Sequence, residues 1–159
     1  MPLFPNQTED NFYFSMNDVN ELLSRNSAHP IKLDDKEWPS VEHYFQAMQF
    51  ESTAYQEKIR TAVSSDHAIK LGKTWFKKKR RDLKQVRTVL MTRALYIKCR
   101  TYPDISKRLI DIEPEKIVEN SQFDYFWGCG RDHRGHNHYG KVLMNVRDKL
   151  LSEKQEALQ

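Results

Sequence analysis

Residues 31–50 read IKLDDKEWPSVEHYFQAMQF, and across them the apolar period changes from two to 3.6. IKLDDKEW alternates about Asp34, Asp35 and Lys36, the pattern of a tight hairpin turn. Ser40 is then placed to cap a helix. Val41, Tyr44, Phe45 and Met48 follow at helical spacing and make its buried stripe. Glu42, Gln46 and Gln49 flank that stripe on one side. A first-turn glutamate is ordinary, because it meets the positive end of the helix dipole. The same position also suits a carboxylate at the lip of a pocket, working as a base or a cation stabiliser. His43 reads as a packing histidine with its ring nitrogens satisfied.

The rest of the chain predicts more helix than strand. NFYF (11–14) and KIVE (116–119) read as short strands, and NDVNELLSRNS (17–27) as a short helix within an irregular first thirty residues. Tyr55, Ile59, Ala62 and Val63 repeat the helical stripe, and Ser65 caps a short helix that stops at Gly72. Leu83, Val86, Leu90, Ala94 and Ile97 mark the longest helix. Pro103 suits the first turn of another that contains Ile105, Leu109 and Ile112. Val142, Leu143, Val146 and Leu150 mark the last. With 159 residues, 38% hydrophobic and 30% charged, the chain fits one soluble domain spanning 1–159. The expectation is an α+β class: a single compact, helix-rich domain with a few short strands. A formal charge of +4 is compatible with an anionic ligand or nucleic acid. No apolar run is long enough for a bilayer, and MPLFPNQTEDNF lacks the pattern of a secretory signal. A cytoplasmic location is expected, with Cys99 and Cys129 as free thiols.

Three further groupings carry chemistry. SQFDYFWGCGRDHRGHNHYGK (121–141) is too rich in Gly, His and Asp for regular structure, and a loop this long is usually functional. Its aromatic residues would anchor it and its glycines would let the backbone approach closely. Asp124 and Glu119 sit at its start beside Phe123, Phe126 and Trp127. Asp124 reads either as a carboxylate desolvated by the aromatics or as a cap on nearby amides. KTWFKKKRRDLK (73–84) interleaves cations with Trp75 and Phe76. It reads as a solvated basic face, as a phosphate clamp through Arg80 and Arg81, or as a surface that holds phosphates and stacks bases. Asp132, His133, His136 and His138 are metal-ligand types, but their spacing matches no familiar zinc arrangement.

Taken in order, WPSVEHYFQAMQF, AIKLGK, the basic stretch into VRTVLM, IVENSQFDYFWGCG and GHNHYGKVLMNVR resemble the successive motifs of the NADAR family, the YbiA-like ribosyl N-glycosidases. The resemblance runs from about residue 11 to 151. It implies a helix-rich α+β domain that hydrolyses a bond between ribose C1 and nitrogen, with no metal or organic cofactor. Two substrate classes are implied: phosphoribosylamino-pyrimidine intermediates of riboflavin biosynthesis, and ADP-ribosylated guanine in DNA. Glu42 and Asp124 fall on the family's carboxylates and are the implied catalytic pair. Gln46, Arg80, Arg81, Trp127, Gly128 and Asn137 fall on substrate-binding positions, and Gly130 and Gly140 on the loop that shapes the site. The chain departs from the pattern twice. Leu83 stands where the family often has tryptophan, and Leu23-Ser24-Arg25-Asn26-Ser27 stands where it favours a Ser-Asn-Phe segment. A rival reading is a non-catalytic ADP-ribose or nucleotide-binding module. A third is a sequence-independent nucleic-acid binder that uses the lysine-arginine run.

Overall fold

The computed structural model describes residues 10–159, and the first nine lie outside what is described below. Six helices and four strands form among the described residues. In chain order they are β1 (Asn11–Phe14), β2 (Ile31–Leu33), β3 (Lys36–Trp38), α1 (Val41–Ala47), α2 (Thr53–Arg60), α3 (Ser65–Gly72), α4 (Leu83–Thr101), α5 (Pro103–Ile110), β4 (Lys116–Glu119) and α6 (His138–Ala157). The class is α+β and helix-rich, as expected. The chain divides into two compact units, one built from residues 25–101 and one from 10–24 with 102–159.

The 25–101 unit begins with the antiparallel hairpin of β2 and β3, which pairs Ile31 with Trp38 and Leu33 with Lys36. Asp34 and Asp35 both take positive φ, 54° and 59°. Two left-handed residues give the turn that matches strand twist, and aspartate tolerates that region better than most residues. Arg93 of α4 secures the turn through Asp34 at 2.7 Å. Trp38 ends the hairpin buried, its indole donating to the Leu33 carbonyl at 3.1 Å and its ring edge-on to Tyr44 at 5.4 Å. α1 starts where Ser40 Oγ accepts the His43 amide at 3.2 Å. Its faces are covered by α2, α3 and α4, so all of its residues except Gln46 are buried.

In the other unit β1 and β4 pair in parallel, with Phe12 opposite Ile117 and Phe14 opposite Glu119. α6 packs on β4 and α5 on α6. Tyr139, fully buried at the start of α6, donates to the Leu23 carbonyl at 2.6 Å. Arg147, also buried, serves the chain between α5 and β4, donating to the carbonyls of Pro114 at 3.1 Å and Glu115. Parallel strands need a long connection between them, and here nearly the whole chain supplies it.

Several local expectations need correction. Residues 17–27 form turns rather than a helix. Short polar side chains there compete for the backbone: Asp18 accepts from the Asn20 amide at 2.9 Å and Glu21 from the Leu23 amide at 3.2 Å. Ser64, one residue earlier than expected, caps α3 by accepting the His67 amide. Val63 lies past the end of α2 and is exposed. Met48 is the C-cap of α1 and only half-buried. Ile112 is buried, but beyond α5. α6, at 20 residues, exceeds α4 at 19.

Candidate active site

Glu42 is wholly buried in the first turn of α1. Its Oε1 accepts from Gln46 Nε2 at 2.6 Å, the i, i+4 pairing that helix geometry provides. Gln46 Oε1 in turn accepts from Gln49 Nε2 at 2.9 Å, and Gln49 Oε1 accepts from Lys79 Nζ at 3.1 Å. The chain has a direction. A carboxylate that only accepts stands at one end and an ammonium that only donates at the other, so neither amide can flip without losing both of its bonds. On the far side Arg25 Nε lies 2.9 Å from Glu42 Oε2. Neither atom makes a hydrogen bond, so the contact is charge against charge, with the Oε2 lone pairs unused. The Glu42 amide also donates to the Arg25 carbonyl at 3.0 Å, which holds both ends of the pair. Gly72 closes the site from α3. A Cβ built there would lie 1.8 Å from Gln46 Oε1, so the amide occupies the room that glycine leaves.

His43 behaves as expected of a packing histidine. Ser40 Oγ lies 2.8 Å from its Nδ1, and its Nε2 lies 3.0 Å from the Ala62 carbonyl. A carbonyl only accepts, so Nε2 carries the proton and the Ser40 hydroxyl donates to Nδ1. Burial pushes the ring's pKa down, against the opposing pull of the Ala62 carbonyl and Glu42. It belongs to the helix start, not to the polar chain.

Arg80 and Arg81 line one shallow groove of about 440 Å³ with Phe50, Glu51, Gln56 and Asp82. Arg80 is held by its amide on the Gln49 carbonyl at 2.8 Å and by a two-point pair with Asp82 at 2.6 and 3.0 Å. The pairing with Asp82 raises its pKa and lowers that of Asp82. Arg81 is exposed.

The other expected residues lie on the loop of the second unit. Asp124 Oδ1 accepts the amides of Phe126 at 3.0 Å and Trp127 at 2.7 Å, which is the capping arrangement. Glu119 is fully buried and accepts from the Met16 amide and from the Ser121 amide and hydroxyl. Gly128 leaves room for that carboxylate, since its Cβ would lie 2.4 Å from Glu119 Oε2. Gly130 has φ +70° and faces the Tyr125 ring. Trp127 is buried, edge-on to Phe126 at 4.7 Å and to Tyr139 at 6.4 Å. Asn137 is left-handed, with φ 52°. Its side chain donates to the Ile117 carbonyl and accepts the Glu119 amide, both at 2.9 Å, and so completes the edge of β4. Among the described residues no group of three metal-ligating side chains converges. Cys99 and Cys129 are free, buried thiols, and burial pushes Cys99 to about 11.

The structure thus joins Glu42 with Gln46, and Arg80 with Arg81, in one unit. Asp124, Trp127, Gly128 and Asn137 share one loop in the other. Sequence reasoning missed Arg25, Lys79 and Gly72. Arg25 stood in the segment that departs from the family pattern, and Lys79 inside the basic run, but nothing local aims either at α1.

The succession of motifs and this architecture have counterparts among known proteins. The NADAR domain profile matches residues 3–151. The chain belongs to the NADAR domain family. N-glycosidase YbiA of Escherichia coli K12 is 36% identical over 144 residues, covering 91% of this chain and 89% of that protein. An N-glycosidase of Nostoc punctiforme is 39% identical over 131 residues, covering 80% and 84%. The riboflavin biosynthesis protein PYRR of Zea mays is 31% identical over 92% of this chain, though over only 26% of its own length. The NMR structure of E. coli YbiA superposes with a TM-score of 0.84 at 33% identity, covering 98% of this NADAR chain and 93% of that one.

Proposed function

We propose that this NADAR protein is a hydrolase that cleaves the N-glycosyl bond between ribose C1 and a nitrogen. Water adds to C1, the C1–N bond breaks, and the leaving nitrogen keeps the electron pair and gains a proton. The transition state carries positive charge on the ribose ring. A buried carboxylate fixed in place acts on such charge without reorganising, and is screened less than it would be in water. The observation that carries the reading is Glu42, which holds Gln46 with Oε1 and keeps Oε2 free of hydrogen bonds. In this reading that oxygen, which lies buried against Arg25, is the one that acts on the ribose. Asp124 is the second carboxylate and holds its loop with Oδ1, while Trp127, Gly128 and Asn137 keep that loop in shape. Arg80 and Arg81 meet phosphate.

The first substrate class is a phosphoribosylamino-pyrimidine of riboflavin biosynthesis. The N-glycosidase names of the YbiA relatives and the riboflavin name of the maize relative support it. A second class, ADP-ribosylated guanine, is favoured by the two arginines on one groove, which suit a diphosphate better than a single phosphate does. Mass spectrometry of products from both substrates tests the reading. Release of the free base or amine from either is expected. Intact substrate in both reactions, with ADP-ribose still bound, would instead indicate a binding module.

A further inference from the structure

Trp75 and Phe76 are 83% and 76% exposed. Their rings nevertheless stack on each other, 4.0 Å apart at 26°. Large aromatic side chains normally bury their area, and these two contribute nothing to the core. Six cations surround them between residues 73 and 81, and these divide into two sets. Lys77 lies over the Tyr55 ring at 5.7 Å, Lys79 reaches Gln49, and Arg80 pairs with Asp82. Those three fasten the segment to its unit. Lys73, Lys78 and Arg81 are exposed, and although the Lys73 amide caps α3, none of the three side chains has an ion pair or hydrogen bond among the described residues.

We propose that residues 73–81 form a binding surface for single-stranded nucleic acid. Trp75 and Phe76 would continue a stack of bases, and Lys73, Lys78 and Arg81 would contact the phosphates between them. Every base has a flat face, so such a surface is tolerant of sequence. In a duplex those faces are already stacked and hidden, which selects for single strands. A second copy of the same surface would be repelled by its charge. The surface shares Arg81 with the groove described above, and Lys79 ties it to the Glu42 chain, but Trp75 and Phe76 belong to neither.

The test is fluorescence anisotropy of a labelled oligothymidylate of about 12 nucleotides, a length within the usual site size, read over a salt series with the full chain. Trp fluorescence should be quenched on binding. Three released counterions predict a log–log salt slope of about −2. Trp75→Ala and Phe76→Ala should each weaken binding about fivefold or more, with thermal stability unchanged. Lys78→Ala should reduce the slope by about 0.7. The proposal is overturned by no binding at low salt, or by binding that both aromatic variants retain in full. Equal affinity for the duplex overturns it too, as does tighter, aromatic-dependent binding to vesicles of anionic lipid, or self-association through this segment.

Discussion

Arg25 and Glu42 form a pair in which the loss of either charge costs stability. Removing one charge from a buried pair leaves the other uncompensated, at a cost of about 3–5 kcal/mol. Arg25→Gln should therefore lower the unfolding free energy by about that amount, and Arg25→Lys by clearly less. Denaturant unfolding of the three proteins checks this, and an Arg25→Gln protein as stable as wild type would mean the pair carries no net energy. Gly72 raises a question of sign. Alanine in place of glycine usually favours a helix by about 1 kcal/mol. Here the new Cβ would displace the Gln46 amide and break its bond to a carboxylate, worth about 1.5–3 kcal/mol. The loss exceeds the gain, so Gly72→Ala should be less stable and less active. A stabilised, fully active variant would show that Gln46 moves aside freely. Glu42 and Gln46 were legible in the sequence because they are neighbours on one helix. Arg25 and Lys79 were not, because their distances to α1 are set by the fold and leave no periodic trace.

At the level of elements, the start of α1 depends on a neutral His43. Its ring accepts from Ser40 and donates to Ala62, and burial lowers its folded pKa below the ordinary 6.5. The unfolded chain therefore takes up the proton first as pH falls. The stability that His43 contributes is complete above about pH 6.5 and declines below it, toward the lowered folded value. Urea midpoints measured from pH 7.5 down to 5.5 should fall, and His43→Gln should flatten that fall. An identical pH slope in both proteins would place the titrating group elsewhere. Hairpin β2–β3, the Ser40 cap, Pro103 at the head of α5 and the strands β1 and β4 could be read from sequence because each depends on residues within a few positions. The failure at residues 17–27 has the opposite cause. Apolar residues there follow a helical spacing, yet Asp18 and Glu21 spend their carboxylates on backbone amides of the same turns. The loop expected over 121–141 was recognisable as ordered and glycine-shaped, but it ends at residue 137: residues 138–141, Gly140 among them, form the first turn of α6 and not loop. That Asn137 would complete β4 was not recognisable, since it requires knowing that the strand's edge ends there.

On the scale of the whole molecule, the α+β class and the NADAR membership place the chain beside proteins named as N-glycosidases. The two carboxylates singled out from sequence have different surroundings. Glu42 sits in a charged, directional chain of side chains with a hydrogen-bond-free oxygen, whereas Asp124 caps a turn in the loop. The account therefore rests on Glu42. The most direct test compares wild type and Glu42→Gln under single-turnover conditions, on whichever ribosylated substrate the wild type cleaves, with thermal stability recorded for both. The amide is close in size and keeps an oxygen for Gln46 but has no charge. The account predicts a Glu42→Gln protein that is less stable than wild type, because Arg25 loses its partner, yet is folded at the assay temperature, binds substrate and has lost at least about a hundredfold in the rate of C1–N cleavage, the scale of losing one electrostatic contribution to the transition state. A folded Glu42→Gln protein that turns over at the wild-type rate would contradict it.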